Sequence, residues 1–558
     1  MNSISAFLRK LEVPNEGGTL ANRWINNDIK PIEQGRRTWT FFTYHNLWVL
    51  TNMNISTYLT GSSLIALGLT WWQALITIIV GAILIIVFVV LNSTPGAFYH
   101  LGFPVVNRYV WGMYGAQFVI LNRILLSLVW YGVQAWIGGQ CTYVMLQAIW
   151  PSIETRIPNH MAESTGMTTA QFVSYVIFMV ISLPLIWIRP HKLTKFLYIS
   201  VVIVLIFEIV LLVWALATMG PAGFGSTISN RGPGTQEDSI GWVIMYGIIS
   251  TIGAISAGIL NQNDYARFSK HPRNAIMGQI LSAGPYFLFS AVVGILVTAA
   301  TQERYGEALW NLPDLLSAVI ETGGGRSRAA AFFAGAALVV SQWGINIPGN
   351  ALSGGFDLAA TFPKFINIRR GAYITALLSM VVHPWQLLSS ASTFLSVLSS
   401  YSVFLGPMIG LMITSYYVVN RQKINVDDVF VGSSHSIYWY TFGINWRAPV
   451  AWICGIAPSM PGFISAVNPS VVVPRGCTRI YYINFLTGFM IASVVFTALH
   501  WAFPAQGVKG FVESPVTKYN TILHYRNKWD EESEVLEREF VKAGKDEEAV
   551  MEAPHVIP

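Results

Sequence analysis

Trp130 and Gln134 are the two residues whose types and spacing best suit ligand binding. They stand four positions apart, so on a helix they share one face. An indole can stack on a planar ring, while a carboxamide donates and accepts hydrogen bonds at the edge of that ring. The pair predicts a site for a flat, hydrogen-bonding heterocycle, although an aromatic stripe with a packed amide would give the same spacing.

Three apolar segments carry clusters of polar and small residues. The clusters are Thr51, Asn52, Asn54, Ser56 and Thr57; Ser250, Thr251, Gly253, Ser256 and Gly258; and Ser341, Gln342, Asn346, Pro348, Gly349 and Asn350. Irregular backbone at membrane depth is tolerated only where it faces protein or a watery cavity. Interrupted helices in two matching halves mark the central site of a transporter. The clusters therefore predict such a site, with ordinary helix packing through small residues as the alternative.

Glu208 and Arg123 are ionisable residues within predicted spans. Charges are expensive there and are usually functional or paired. Glu208 is therefore a candidate for carrying a coupling proton, with a structural pair as the alternative. Asp264 and Arg267, at the end of another span, suit a gate better than a substrate site. The histidines are scattered and form no acid–base or metal-binding set, which argues against an enzyme, a metal site or a bound cofactor.

Membrane-spanning helices must position these residues. The chain has 558 residues, of which 53% are hydrophobic and only 11% are charged, whereas soluble domains carry about 25% charged residues. Lipid must therefore be its solvent. The net charge of +6 is dispersed in short clusters between apolar runs, which argues against nucleic-acid binding. The composition indicates an all-α integral membrane protein, and a transporter is favoured over a receptor or a channel.

Hydropathy predicts about twelve spans. They cover residues 40–66, 72–94, 113–148, 169–188, 196–219, 240–266, 275–300, 328–350, 370–386, 388–420, 446–466 and 480–503. The first and sixth are five spans apart, which suits two inverted repeats of five helices with two additional peripheral helices. Only His383, Pro384 and Trp385 divide the ninth span from the tenth.

Basic residues set the predicted orientation. Lys and Arg are most frequent in the two tails and in the loops on the same side, so the positive-inside rule places both termini in the cytoplasm. This divides the chain into a cytoplasmic tail at 1–39, a transporter domain at 40–503 and a second cytoplasmic tail at 504–558. The charged stretch 530–548 predicts a disordered tail with a short helix at 528–543. The lysines of this tail are candidate acceptors of ubiquitin from a ligase or its adaptor, with an ordinary solvated run of charges as the alternative.

Five motifs occur in a familiar order over residues 30–500. They are Lys30–Trp39, Asn54–Tyr58, Gly68–Gln73, Val129–Gly139 and Asn261–Phe268. Together they resemble the nucleobase–cation symport family, most closely its fungal Fur-type branch of uracil, allantoin, uridine and thiamine permeases. The resemblance implies a leucine-transporter-like fold with two inverted repeats. It also implies cation-coupled uptake at the plasma membrane, with the proton as the expected ion.

The resemblance assigns roles to individual residues. Trp130 and Gln134 match the stacking tryptophan and the hydrogen-bonding glutamine of the family. Asn350 matches its substrate-contacting asparagine and Asn346 a nearby polar position, and Asn54 joins them from the first polar cluster.

The remaining expected positions include two departures from the family. Ile255 or a neighbour stands where bacterial hydantoin-type members carry a second tryptophan, so stacking is expected from one side. Cation ligands are expected at Asn52 and Ser341. However, Gly344 and Ile345 replace the hydroxyl residues of sodium-coupled members, and a sodium ion needs oxygen ligands.

The leading hypothesis is a proton-coupled importer of uracil, allantoin, uric acid or a related heterocycle, working by alternating access. The alternative is a thiamine, nicotinamide-riboside or uridine permease of the same family. Arg36, Arg37 and Trp39, just before the first span, predict an inner lid that closes together with Asp264 and Arg267.

Overall fold

The structure is a computed structural model that describes residues 23–25, 29–188, 190–221, 223–224, 239–362, 364–518 and 520–522. Within these residues the secondary structure is helical, and extended segments pair only as isolated bridges. The predicted helix at 528–543 and the tail lysines near it lie outside the described residues.

The described chain contains two π-helical segments and nineteen α-helices of eight or more residues. They are α1 Phe41–Asn52, α2 Ile55–Ala66, α3 Trp71–Tyr99, α4 Phe103–Trp111, α5 Ala116–Ile149, α6 Thr169–Trp187, α7 Pro190–Ala217, α8 Ile240–Leu260, α9 Pro272–Tyr305, α10 Leu312–Thr322, α11 Gly325–Asn346, α12 Ser353–Thr361, α13 Ile368–Leu378, α14 Ala391–Thr414, α15 Arg447–Ile456, α16 Met460–Val467, α17 Arg475–Tyr482, α18 Asn484–Ala502 and α19 Gln506–Glu513. The π-helical segments are Ile347–Leu352, between α11 and α12, and Ser415–Val419, after α14.

Ten helical segments of the described chain are long and apolar enough to cross a bilayer. They correspond to ten of the twelve predicted spans. The first and ninth predicted spans fall short because each is interrupted. The first consists of the half-helices α1 and α2, and the ninth consists of α13, a 3-10 turn and the single turn Pro384–Leu387. The all-helical membrane architecture is confirmed, while the count of twelve stays a prediction.

The first span is interrupted where its polar cluster predicts. α1 ends at Asn52 and α2 begins at Ile55. Between them, Asn54 has an extended backbone, and its Oδ1 accepts a hydrogen bond from the Thr57 N–H at 3.2 Å. A short polar side chain at this position satisfies an N–H group that the start of a helix leaves without a partner. The sequence of the break therefore also supplies the cap of α2.

The sixth and eighth spans differ from the expectation. α8 runs unbroken through residues 250–258, and the interruption lies beyond its end, at Asn261–Gln262. In the eighth span the chain does not unwind but widens into the π-helical segment Ile347–Leu352. Pro348 accounts for this, because it has no N–H to donate and its ring displaces the preceding carbonyl. The helix then continues as α12 to Thr361, well beyond the predicted end at residue 350.

α9 packs against both halves of the interrupted first span and against α3 and α7. Two glycines let α2 and α9 approach at backbone distance. A Cβ added at Gly294 would lie 2.2 Å from the Tyr58 carbonyl oxygen, and one at Gly61 would lie 2.0 Å from the Ala291 carbonyl oxygen. Small residues permit such contact between membrane helices. The break between α1 and α2 is therefore held directly beside α9.

Candidate functional site

A cavity of about 150 Å³ lies inside the bundle beside the interrupted first span. Its wall comes from α1, the start of α2, α5 from Arg123 to Gln134, the end of α8 with the turn after it, Phe287 of α9, and the end of α11 with the π-helical segment that follows. Of the predicted substrate residues, Trp130, Gln134, Asn54, Ile255 and Asn350 line it. The fold thus brings together residues from four separate parts of the sequence.

Trp130 and Gln134 give the cavity an aromatic face and a hydrogen-bond acceptor. The half-buried Trp130 ring meets Tyr401 edge to face, with 6.1 Å between ring centroids. Gln134 is buried, and its Nε2 donates to the Ser56 hydroxyl at 2.8 Å. Its Oε1 is buried without a hydrogen-bond partner among the described residues. Since a buried acceptor without a partner is costly, this oxygen suits a ligand N–H group.

The asparagines of the eighth span occupy two layers. Asn350 lines the cavity, and its Nδ2 donates to Asn346 Oδ1 at 2.9 Å. Asn346 lies behind it, buried, and donates to the Tyr131 carbonyl oxygen at 3.2 Å. Asn346 is therefore a positioning residue for Asn350. Ile255 adds an aliphatic wall, so this position offers no aromatic face for stacking.

The three candidate cation residues do not form one site. Asn52 is turned away from the cavity, and its Nδ2 donates to the Ala283 carbonyl oxygen at 2.6 Å. Ser341 is buried in α11 and does not line the cavity. Glu208 binds the Ser290 hydroxyl at 2.6 Å. Asn52 and Glu208 thus bind separate partners, and the three polar side chains do not converge on one cation site.

The predicted lid lies against the turn that follows α8. The Trp39 N–H donates to the Phe268 carbonyl oxygen at 3.0 Å, and the Trp39 carbonyl accepts from the Lys270 N–H at 2.9 Å. Its indole stacks on the Phe268 ring, with 5.5 Å between centroids. Arg37 is buried and donates to a carbonyl of its own segment at 2.8 Å, whereas the Arg36 side chain is half exposed. Trp39 makes the contacts expected of a lid.

The two predicted gate charges lie in the same place. Asp264 Oδ1 accepts a hydrogen bond from the Phe103 N–H at 2.8 Å. The Arg267 guanidinium lies over the Phe268 ring, 5.0 Å from its centroid. The structure therefore joins the lid segment, the end of α8 and the start of α4 at one end of the bundle.

A polar cluster around Arg123 reaches the cavity and includes one residue that the sequence analysis missed. Arg123 lines the cavity and donates to the Ser127 hydroxyl at 2.5 Å and to the Ser353 hydroxyl. Asp357 is 2% exposed and interacts electrostatically with Arg123. It was missed because the predicted span ended at residue 350. The small and apolar residues that continue to 361 were the signal that this carboxyl also lies inside a helix.

Residues 31–488 match the sequence model of a family described as permeases for cytosine/purines, uracil, thiamine and allantoin. The chain belongs to this permease family. It is a transporter and not an enzyme. Allantoin permease of Saccharomyces cerevisiae is 35% identical over 510 residues, covering 90% of this chain and 79% of the relative. Uracil permease of the same yeast is 35% identical over 488 residues, covering 86% and 76%.

Solved structures share the fold of this permease. The inward-facing conformation of Mhp1 superposes with a TM-score of 0.68 at 20% identity, covering 89% of this chain and 99% of that chain. Mhp1, a nucleobase-cation-symport-1 family transporter, in a closed conformation with bromovinylhydantoin bound, gives a TM-score of 0.65 at 20% identity, covering 90% of this chain and 99% of that chain. The leucine-transporter-like fold that the resemblance implied is confirmed.

The cavity of the permease extends from the middle of the bundle into one half of it. Along α5 the lining ends at Gln134, just past the middle of that helix, and along α8 it uses the last residues; the described lining includes none from their opposite ends. Trp39 binds the turn that follows α8, so this half is the one that carries the N-terminal segment. The cavity and the lid segment therefore lie towards the same end of the permease.

Proposed function

We propose that this permease is a proton-coupled importer of small nucleobase-like heterocycles, such as uracil, allantoin or uric acid, at the plasma membrane. The observation that supports this is the Trp130 face and the unpartnered Gln134 Oε1 in one cavity. The aromatic face can hold a planar ring, and the acceptor can bind its N–H group. The names of two yeast relatives, allantoin permease and uracil permease, suggest the same class of ligand.

The size and charge of the cavity favour a small ring system without a positive charge. A volume of about 150 Å³ lies below the roughly 300–1,000 Å³ of sites for drug-sized ligands. Arg123 is the charged residue that lines the cavity within the described chain, and Asp357 balances its charge from behind. The described lining includes no carboxylate that could pair with a thiazolium or pyridinium ring. We therefore expect thiamine and nicotinamide riboside, the alternative substrates, to compete poorly.

Alternating access would follow from a cavity that extends into one half of the bundle. If the termini are cytoplasmic, as the basic residues of the sequence predict, the cavity faces the cell interior. Rocking of one group of helices around the break between α1 and α2 would close this half and open the other. The segment at Trp39, bound to Phe268 and Lys270, would serve as the inner lid.

Uptake of radiolabelled uracil and allantoin tests this proposal. We expect uptake to be greater at about pH 5 than at about pH 7.5, to accumulate substrate against its gradient and to stop with a protonophore. Trp130→Ala should abolish most of this uptake, whereas Trp501→Ala should not, since Trp501 is 88% exposed and does not line the cavity. Unaltered uptake by Trp130→Ala at normal surface expression would contradict the binding site. Accumulation that resists the protonophore would contradict the coupling.

A further inference from the structure

Glu208 is a buried carboxyl in the membrane-spanning part of α7 that the binding cavity does not use. Its side chain is 3% exposed. One oxygen binds the Ser290 hydroxyl of α9 at 2.6 Å, and the other has no hydrogen-bond partner among the described residues. A charge held this deep without a counter-charge is costly. Binding of a proton removes that cost, so the surroundings of Glu208 favour its neutral acid.

The groups that face Glu208 do not supply a counter-charge. Tyr58 of α2 is the titratable side chain that interacts electrostatically with Glu208, and a neutral tyrosine supplies no positive charge. In the described chain, no lysine, arginine or histidine of α1, α2, α9 or α11 forms an ion pair or hydrogen bond with this carboxyl. Titration of Glu208 would therefore change the local charge by a full unit, without a neighbouring cation to compensate.

Ser290 stands between Glu208 and the break in the first span. Its Oγ lies 2.6 Å from Glu208 Oε1 and 3.4 Å from the Asn54 carbonyl oxygen. A hydroxyl carries one proton, so it donates to one acceptor at a time. When Glu208 is ionised, the carboxylate takes that proton as the stronger acceptor. When Glu208 is protonated, its own O–H can donate to Ser290 Oγ, and the Ser290 proton is then free for the Asn54 carbonyl.

Asn54 connects the Glu208–Ser290 pair to the substrate cavity. It lines the cavity, and its side chain caps α2 by accepting from the Thr57 N–H. Its Nδ2 donates to the Thr51 carbonyl at 2.5 Å, across the break. The Asn54 carbonyl already accepts from the Tyr58 N–H at 3.1 Å, and its second lone pair leaves room for Ser290. A stronger bond from Ser290 would therefore fasten the break to α9 at the edge of the binding site.

We propose that Glu208 is the proton-binding group of the permease and that Ser290 transmits its protonation state to the Asn54 break. One proton enters and later leaves Glu208, and no covalent bond other than its O–H bond forms or breaks. The inference rests on the proposed proton symport and identifies the residues that carry it out. Protonation fastens α2 to α9 and favours substrate binding, while deprotonation loosens this contact.

Glu208→Gln tests the proton site, because a carboxamide keeps the size of the side chain and can donate to Ser290 but cannot titrate. We expect this variant to exchange radiolabelled uracil between the two sides of a proteoliposome at a rate near that of the wild type. It should no longer accumulate uracil in response to a pH gradient, and its KM should be the same at about pH 5 and about pH 7.5. Glu307→Gln, at an exposed carboxyl of a loop, is the matched control and should behave as the wild type.

Ser290→Ala and Ser290→Thr test the transmission step. The alanine variant keeps the carboxyl but lacks the hydroxyl, so the dependence of KM on pH should largely disappear. Threonine retains the hydroxyl and should restore it. A merely structural role of Ser290 would change the amount of folded permease without changing how KM depends on pH.

The outcomes separate this inference from the proposed function. If the wild type fails to accumulate uracil or allantoin under a pH gradient, the proposed function is wrong. If the wild type accumulates them and Glu208→Gln does so as well, Glu208 is not the proton site. If Ser290→Ala keeps the full pH dependence of KM, the transmission through Ser290 is wrong. If Glu208→Gln reaches the membrane but neither exchanges nor accumulates uracil, the assignment of Glu208 to proton binding alone is wrong.

Discussion

Replacing Gln134 by alanine removes the acceptor that we assign to the N–H group of the substrate. The Ser56 hydroxyl holds Gln134 Nε2 at 2.8 Å, which leaves Oε1 oriented before a ligand arrives. Ordering this side chain on binding therefore costs little. A buried N–H group left unpaired costs about 1–3 kcal/mol. At about 1.4 kcal/mol per tenfold change in affinity, KM should rise roughly 5- to 150-fold.

The assay is initial-rate uptake of radiolabelled uracil over a range of concentrations, normalised to permease at the cell surface. Ser56→Ala is the matched variant, because it keeps the acceptor and loses only its anchor. It should raise KM by less than Gln134→Ala does. A KM for Gln134→Ala within about twofold of the wild type would refute the assignment. So would a larger effect of Ser56→Ala than of Gln134→Ala, since the anchor would then matter more than the acceptor.

Three further predictions concern packing, the lid and the Arg123 cluster. Gly294→Ala should cost about 1–3 kcal/mol through overpacking, seen as a lower melting temperature in detergent, because its Cβ would lie 2.2 Å from a backbone oxygen of α2; an unchanged melting temperature would contradict the contact. Trp39→Ala should raise the reactivity of a Leu47→Cys reporter in the cavity towards a thiol reagent several-fold, because the stacking on the turn after α8 is lost; equal reactivity would argue against a lid. Asp357→Asn should lower the melting temperature, and adding Arg123→Gln should recover part of the loss, because the second change removes the charge that the first leaves uncompensated. Additive losses would show that the two residues are independent.

Local patterns were sufficient for the class of fold and for part of the site. Long apolar runs and few charges identified a helical membrane protein, because both follow from the solvent that the chain must face. Trp130 and Gln134 were predictable as a pair, because a separation of four residues places them on one face of any helix. The break at Asn54 was also predictable, since polar side chains at membrane depth need a cavity or protein partners.

Contacts between helices could not be read from the same patterns. Asn52 and Asn54 belong to one polar cluster, yet only Asn54 lines the cavity, because the rotation of α1 turns Asn52 towards α9. The break in the sixth span lies at Asn261–Gln262 rather than among the small residues of α8, which the packing of α8 against its neighbours keeps helical. The residue types therefore indicated interrupted segments, but they did not indicate which side chains face the cavity or where a break falls.

The sequence by itself determined that this chain is an integral membrane protein, that its first span is interrupted and that Trp130 and Gln134 share one face of a helix. Those properties depend on composition and on neighbours a few positions away. Only the tertiary structure placed Ser290, 82 residues beyond Glu208, between that carboxyl and the Asn54 break. The close approach of α2 and α9 through Gly61 and Gly294 makes this contact possible, and such an approach depends on how whole helices pack.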